Sequence, residues 1–235
     1  MALPELNTAR YKVEVPSTGQ EISYRPYLVK EEKLLMMAME SNDSKVIMQT
    51  TIDIIKACVF DEIDVESLAM FDIETLFLAL RSKSVGEKID LNIKCEECQH
   101  GNEVQIDFDA IEAPVVTDDN KQMMLTDTVG VVLKYPSVKD IDSLSNLGDN
   151  EMDAAMSMLV ACIDSIFDED NVYDAKSETT QELTKFVESL NSEQFQNLSE
   201  FFGTMPALSS LIEFNCTSCG KANSQELKGL QSFFT

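Results

Sequence analysis

Two Cys-x-x-Cys pairs, Cys95-Glu96-Glu97-Cys98 and Cys216-Thr217-Ser218-Cys219, are the residues whose type and spacing point most directly to chemistry. A thiolate pair at this spacing folds into a tight knuckle, and two knuckles present four sulfurs tetrahedrally to one Zn²⁺. Cys98 and Cys216 stand 118 positions apart, a long separation for one site. Loop-closure cost grows only logarithmically, so the penalty over a roughly 15-residue spacer is about 2 kcal/mol. Structural zinc binding in finger peptides is worth roughly 10–16 kcal/mol, so the metal wins. The expectation is a single structural zinc site formed by Cys95, Cys98, Cys216 and Cys219.

The competing readings are a disulfide or a free thiol pair. Disulfides belong to oxidising compartments, and Met1-Ala2-Leu3-Pro4-Glu5 lacks the basic start and long apolar run of an export signal. A redox motif of the thioredoxin kind opens a helix in a βαβ unit, and neither pair does. His100, two residues past Cys98, is an alternative ligand but reads as a solvated side chain in a turn. Four thiolates close the coordination sphere, whereas a catalytic zinc keeps an open position. With one His, no Gly-rich phosphate loop and no nucleophile beside a base, the chain is read as non-enzymatic.

The elements that must position the knuckles are legible around them. Ile89-Asp90-Leu91-Asn92-Ile93 and Glu103 to Phe108 alternate like strands on either side of the first pair. Leu211-Ile212-Glu213-Phe214 and Gly220-Lys221-Ala222-Asn223 flank the second. Each reads as half of a zinc ribbon. Upstream, a hairpin is expected over 11–24 with its turn at Pro16-Ser17-Thr18-Gly19. Helices are expected at about 30–40, 43–60 and 72–83 from apolar residues at helical spacing. The second half repeats this order: a strand over 128–135, a short helix near 137–145, and one helical stripe from Met152 through Cys162 to Ile166 and Phe167. Two more stripes follow, Leu183 to Leu190 and Phe195 to Phe202.

Lys12 to Ser17 can be laid on Val132 to Ser137, and Ile54 to Glu62 on Leu159 to Glu169. The fold class is therefore read as α+β, mainly α, with two duplicated strand-helix-helix-knuckle halves joined by a split zinc ribbon. The divisions are 1–111 for the first half, an acidic linker at 112–122, and 123–235 for the second.

A net charge of −24, from 42 acids against 18 bases in 235 residues, excludes a nucleic-acid surface, which needs clustered Lys and Arg. It disfavours anionic membranes as well, and no window reaches the length of a membrane span. Cys58 and Cys162 fall on apolar helix faces and read as small core residues. Met36, Met37 and Met39 offer an adaptable surface for an apolar partner helix, against the plainer reading that they are core. Asp168-Glu169-Asp170-Asn171 lacks the glycine and terminal glutamate of a calcium loop and reads as a solvated turn.

Tyr24-Arg25-Pro26-Tyr27-Leu28-Val29-Lys30-Glu31-Glu32-Lys33, Phe77 to Gly86, Val172-Tyr173-Asp174-Ala175-Lys176 and Phe201-Phe202-Gly203-Thr204-Met205-Pro206 resemble the baseplate hub assembly proteins of T-even-like contractile-tailed bacteriophages. The likeness spans roughly residues 10–234. It implies a late phage protein made in the cytoplasm of the infected bacterium and used in building the tail baseplate hub. By that resemblance it is an assembly factor or chaperone, with the tape-measure protein as a client, or a hub subunit in the virion tail. The alternative from another class is an acidic zinc-ribbon regulator that mimics nucleic acid and binds a basic host protein.

Overall fold

A computed structural model of the chain describes residues 7–108, 111, 116, 121–144 and 151–229. Among these, seven α-helices and ten β-strands make a mixed α/β fold. Strands β1 (Tyr11–Val15) and β2 (Gln20–Tyr24) pair antiparallel. Their turn is closed by Gly19, whose φ of 67° lets its N–H reach the Val15 carbonyl at 2.8 Å. Helices α1 (Val29–Glu40) and α2 (Ser44–Cys58) follow. The Asp43 carboxylate starts α2 by accepting from the Lys45 and Val46 N–H groups, two donors that a helix end leaves without partners. Helix α3 (Met70–Val85) then leads into the hairpin β3 (Lys88–Lys94) and β4 (Gly101–Asp107).

The rest of the chain opens with β5 (Gln122–Met124) and β6 (Gly130–Leu133), then α4 (Val138–Leu144) and α5 (Glu151–Cys162). Strands β7 (Ile163–Phe167) and β8 (Val172–Asp174) complete a four-stranded sheet in the order β5-β6-β7-β8. Helices α6 (Thr180–Glu188) and α7 (Ser192–Gly203) precede the last hairpin, β9 (Ser209–Asn215) and β10 (Ala222–Lys228). Both helices start on a capping box, Thr179 with Glu182 and Asn191 with Gln194.

Two compact units result: Met1–Val65, Phe71–Val115 and Ala207–Thr235 form one, Glu66–Met70 and Val116–Pro206 the other. The C-terminal hairpin thus packs with the N-terminal elements. The first unit's ribbon end is built on Leu78, Ile89, Leu91, Ile93, Ile212 and Leu227. The second unit's core gathers Val131, Leu133, Leu159, Leu183, Leu198 and Phe201, with the Tyr135 ring stacked on Phe201 at 5.4 Å. Most of the acidic linker expected at 112–122 lies outside the described residues.

Two expectations need correction. The apolar stripe read as one helix to Phe167 ends as a helix at Cys162, and Ile163–Phe167 is the strand β7. Ile163 and Ile166 suit helical spacing, but β-branched residues also suit a sheet, and β6 and β8 flank β7 to pair with it. Second, Lys12 to Ser17 is the first strand of its hairpin, whereas Val132 to Ser137 begins in the second strand of another.

The matching positions lie one strand later. The Arg25 N–H donates to the Cys58 carbonyl at 3.0 Å, and the Lys134 N–H donates to the Cys162 carbonyl at 2.7 Å. Three residues on, the Leu28 N–H donates to Glu31, and the Ser137 N–H donates to Asp140, each at 2.9 Å. Glu31 pairs with Arg25 and Asp140 with Lys134. Tyr24 to Glu31 and Leu133 to Asp140 therefore build the same strand exit and helix start.

Candidate metal centre

Each knuckle sits at the tip of a seven-residue-per-strand hairpin. In β3 the burial alternates strictly, with Ile89, Leu91 and Ile93 inward, so the strand is held on the apolar core in one register. Ile212 of β9 and Leu227 of β10 enter the same core. Burial of these two apolar faces together brings the tips into reach of each other.

The tips have one geometry. The Cys95 N–H donates to the His100 carbonyl at 2.9 Å, and the Cys216 N–H to the Lys221 carbonyl at 2.8 Å. The Gln99 N–H returns to the Cys95 carbonyl and the Gly220 N–H to the Cys216 carbonyl, both at 2.9 Å. The residue making that return turn is left-handed in both knuckles, with φ 58° at Gln99 and 76° at Gly220. Strands, cysteines and turn residues all correspond at one constant offset along the chain.

The four sulfurs lie within 4.8 Å of one another. Across the hairpins, Cys95 Sγ is 3.7 Å from Cys219 Sγ, and Cys98 Sγ is 3.6 Å from Cys216 Sγ. A disulfide requires about 2.05 Å, so these are unbonded thiols. Zinc–sulfur bonds of about 2.3 Å in a tetrahedron place the sulfurs about 3.8 Å apart, close to what is found. Cys95 and Cys216 are buried, while Cys98 and Cys219 are exposed. The donor set fits one soft or borderline cation with no position left open.

Backbone dipoles already favour thiolate. The N–H groups of Cys98 and Glu97 hold the Cys95 thiol below its usual range, against the opposing effect of burial. Those of Cys219 and Ser218 lower Cys216 to about 6. Cys219 receives the Lys221 N–H, yet Cys98, burial and the remaining sulfurs push it up to about 12. Four thiols this close resist bearing four negative charges, and a divalent cation would relieve that conflict. His100 contributes its carbonyl to the knuckle; the four-sulfur cluster does not include its ring.

Two residues in this centre lie outside the sequence-based expectations. Asn102 and Asn223, each the second residue of its outgoing strand, are buried to 2% and 5% exposure. The Asn102 Oδ1 accepts from the Thr217 N–H at 2.8 Å and its hydroxyl at 3.0 Å. The Asn223 Oδ1 accepts from the Glu96 N–H at 3.1 Å. The signal that could reveal them is an asparagine seven residues after the first cysteine of each pair.

The other singled-out residues are placed separately. Met36 and Met37 are exposed, at 60% and 58%, on a face of α1 with Val29 and Leu34; Met39 is half-buried. Leu35 and Ala38 form the opposite, buried face. Cys58 and Cys162 are buried, and burial pushes their thiols up to about 11 and about 12. Asp168 organises a turn, accepting from the N–H groups of Asp170 and Asn171 and from the Tyr173 hydroxyl. No helix among the described residues is long and apolar enough to cross a membrane.

Comparison with known proteins adds relatives to this geometry. The family model described as T4 bacteriophage base plate protein matches residues 8–235. The chain is 20% identical over 224 residues to the baseplate hub assembly protein gp26 of Enterobacteria phage T4, covering 95% of this chain and 97% of that one. No solved structure matches.

Proposed function

The chain belongs to the T4 bacteriophage base plate protein family, and on that premise we propose that it acts in assembly of the phage baseplate hub. The observation that carries this reading is the near-complete coverage, on both sides, of the match to a protein named for hub assembly. The role is non-enzymatic: the protein is an assembly factor, made in the cytoplasm of the infected bacterium, that holds hub components, with the tape-measure protein a candidate client.

In this reading Cys95, Cys98, Cys216 and Cys219 bind one structural Zn²⁺. Sulfur separations of 3.6 and 3.7 Å and the closed donor set support zinc with a structural rather than catalytic task. Residues 1–111 and 123–235 are copies of one ancestral half. The shared strand exits at Arg25 and Lys134 and the matching knuckles support that duplication.

The partner surface is the outer face of α1. Met36 and Met37, standing exposed with Val29 and Leu34, supply an adaptable apolar patch of the kind buried at a protein interface. The net charge of −24 suits protein rather than nucleic acid as the partner. Co-expression with hub and tape-measure proteins, followed by pull-down and mass spectrometry of mature tails, tests the proposal. Capture in the complex with absence from mature tails is expected. Presence in tails makes the protein a hub subunit; binding to no tail protein overturns the reading. Met36→Ser with Met37→Ser is expected to abolish capture while leaving thermal stability within a few degrees of the parent.

A further inference from the structure

Resting on the four-thiolate reading, we infer that Asn102 and Asn223 are positioning residues: a crossed clasp that holds the two knuckles at ligating distance before any metal enters. Each side chain is aimed by its own knuckle. The Asn102 Nδ2 donates to the His100 carbonyl at 2.9 Å. The Asn223 Nδ2 donates to the Lys221 carbonyl, also at 2.9 Å. These are the same two carbonyls that accept from the Cys95 and Cys216 N–H groups. With the amide nitrogen so fixed, Oδ1 must face the opposite knuckle.

There it meets the N–H of the residue that follows the first cysteine: Thr217 for Asn102, Glu96 for Asn223. Each path therefore runs from one buried cysteine, through a carbonyl and a single carboxamide, to the peptide beside the other buried cysteine. Two such paths cross between the hairpins in opposite directions, which fixes both separation and rotation. Both asparagines are almost fully buried, so water cannot take over a lost bond cheaply.

The clasp is made only of protein groups and does not need metal to form. The four sulfur ligands are ordered during folding, and the metal is spared that ordering cost. A site templated by its ion would instead place the joining bonds on the ion alone.

Amide exchange of the metal-free full-length protein is the direct test. Glu96 and Thr217 amides are expected to stay protected after metal removal; loss of protection at both overturns the clasp and needs no variant to see. Asn102→Ala is expected to speed exchange at Thr217 at least about tenfold while leaving Glu96 near its parent rate. Asn223→Ala is expected to do the reverse. A general role in hairpin stability would speed both amides in both variants, and that result also overturns the proposal. Titration with Co²⁺ or Zn²⁺ against a competing chelator should show affinity falling about 10- to 100-fold in each variant. Unchanged affinity in both variants overturns positioning, whereas a parent protein that binds no metal overturns the four-thiolate reading and leaves the clasp to be judged on exchange.

Discussion

The helix start at Leu28 and the one at Ser137 are assembled from the same parts but use them differently. In the first, the Arg25 Nη2 lies 2.9 Å from the Glu31 carboxylate, with side chains only 14% and 4% exposed. In the second, the Lys134 Nζ lies 3.8 Å from Asp140, with side chains 44% and 20% exposed. A guanidinium tolerates burial because its planar fork satisfies several acceptors at once, and Arg25 also donates to the carbonyls of Pro26 and Ala57. An ammonium is better hydrated and stays at the surface. Asp140 consequently works mainly as a cap, accepting from the Ser137 N–H and hydroxyl. The same local device is structural core in one half and helix-end chemistry in the other. The knuckles show the opposite behaviour: they differ in sequence, Glu-Glu against Thr-Ser, yet make the same backbone bonds at Cys95 and Cys216.

The largest effect should come from breaking the four-cysteine cluster to which both knuckles contribute. Cys216→Ser is expected to remove bound zinc, measured as metal per chain. At free zinc about a thousandfold above Kd, that forfeits about 4 kcal/mol of stability. Stoichiometric zinc retained in the variant would show that the knuckles do not act as one site.

Next in size is the contrast between the helix starts. Glu31→Ala leaves the largely covered Arg25 guanidinium without its carboxylate and is expected to cost about 3 kcal/mol in denaturant unfolding. Asp140→Ala loses a cap and a loose pair, at about 1 kcal/mol. Equal costs would erase the distinction between a core pair and a helix cap.

The acid dependence sharpens the same contrast. Burial opposes ionisation of Glu31, but the Arg25 guanidinium and the Leu28 N–H prevail and hold the carboxyl below its ordinary value of 4.5. A lowered carboxyl pKa means the stabilisation is full above that ordinary value and drains away as pH falls through the lowered one. Stability measured between about pH 6 and pH 3 should therefore drop at the acid end, and Glu31→Gln should flatten that limb. An unchanged acid slope in Glu31→Gln would assign the drop to other groups.

The smallest effect separates the two knuckle turns. Gln99 holds a left-handed conformation that glycine adopts without a Cβ penalty. Gln99→Gly is expected to raise stability by up to about 1 kcal/mol, and Gly220→Ala to lower it by about 1 kcal/mol, both read from thermal midpoints. Stabilisation by Gly220→Ala would mean the turns are not equivalent.

Much of this is legible in one dimension because the signals are local. Alternation around Ile89 to Ile93, the helical spacing within α1 to α3, and the spacing of each cysteine pair all depend on neighbours a few residues away. Strand β7 escapes such a reading because Ile163 and Ile166, three apart, fit helical spacing rather than strand alternation, and only pairing with β6, across a register shift at Val132/Leu133, and with β8 makes the segment a strand. The similarity read between Lys12 to Ser17 and Val132 to Ser137 registers one strand early. Pro-Ser at 16–17 and at 136–137 looks like a signature, whereas the structural equivalence is carried by backbone bonds to Cys58 and Cys162 that no residue type announces.

The sequence by itself determined the four thiols, their two knuckles and the acidic balance of the chain, since each depends on residue type or short spacing. Tertiary structure alone decided that the last hairpin packs with the first unit, that Cys95 faces Cys219 and Cys98 faces Cys216, and that Asn102 and Asn223 reach across between them. Those relations join residues more than a hundred positions apart. They arise from burying two apolar hairpin faces in one core, and such burial is a property of the packed chain rather than of any segment.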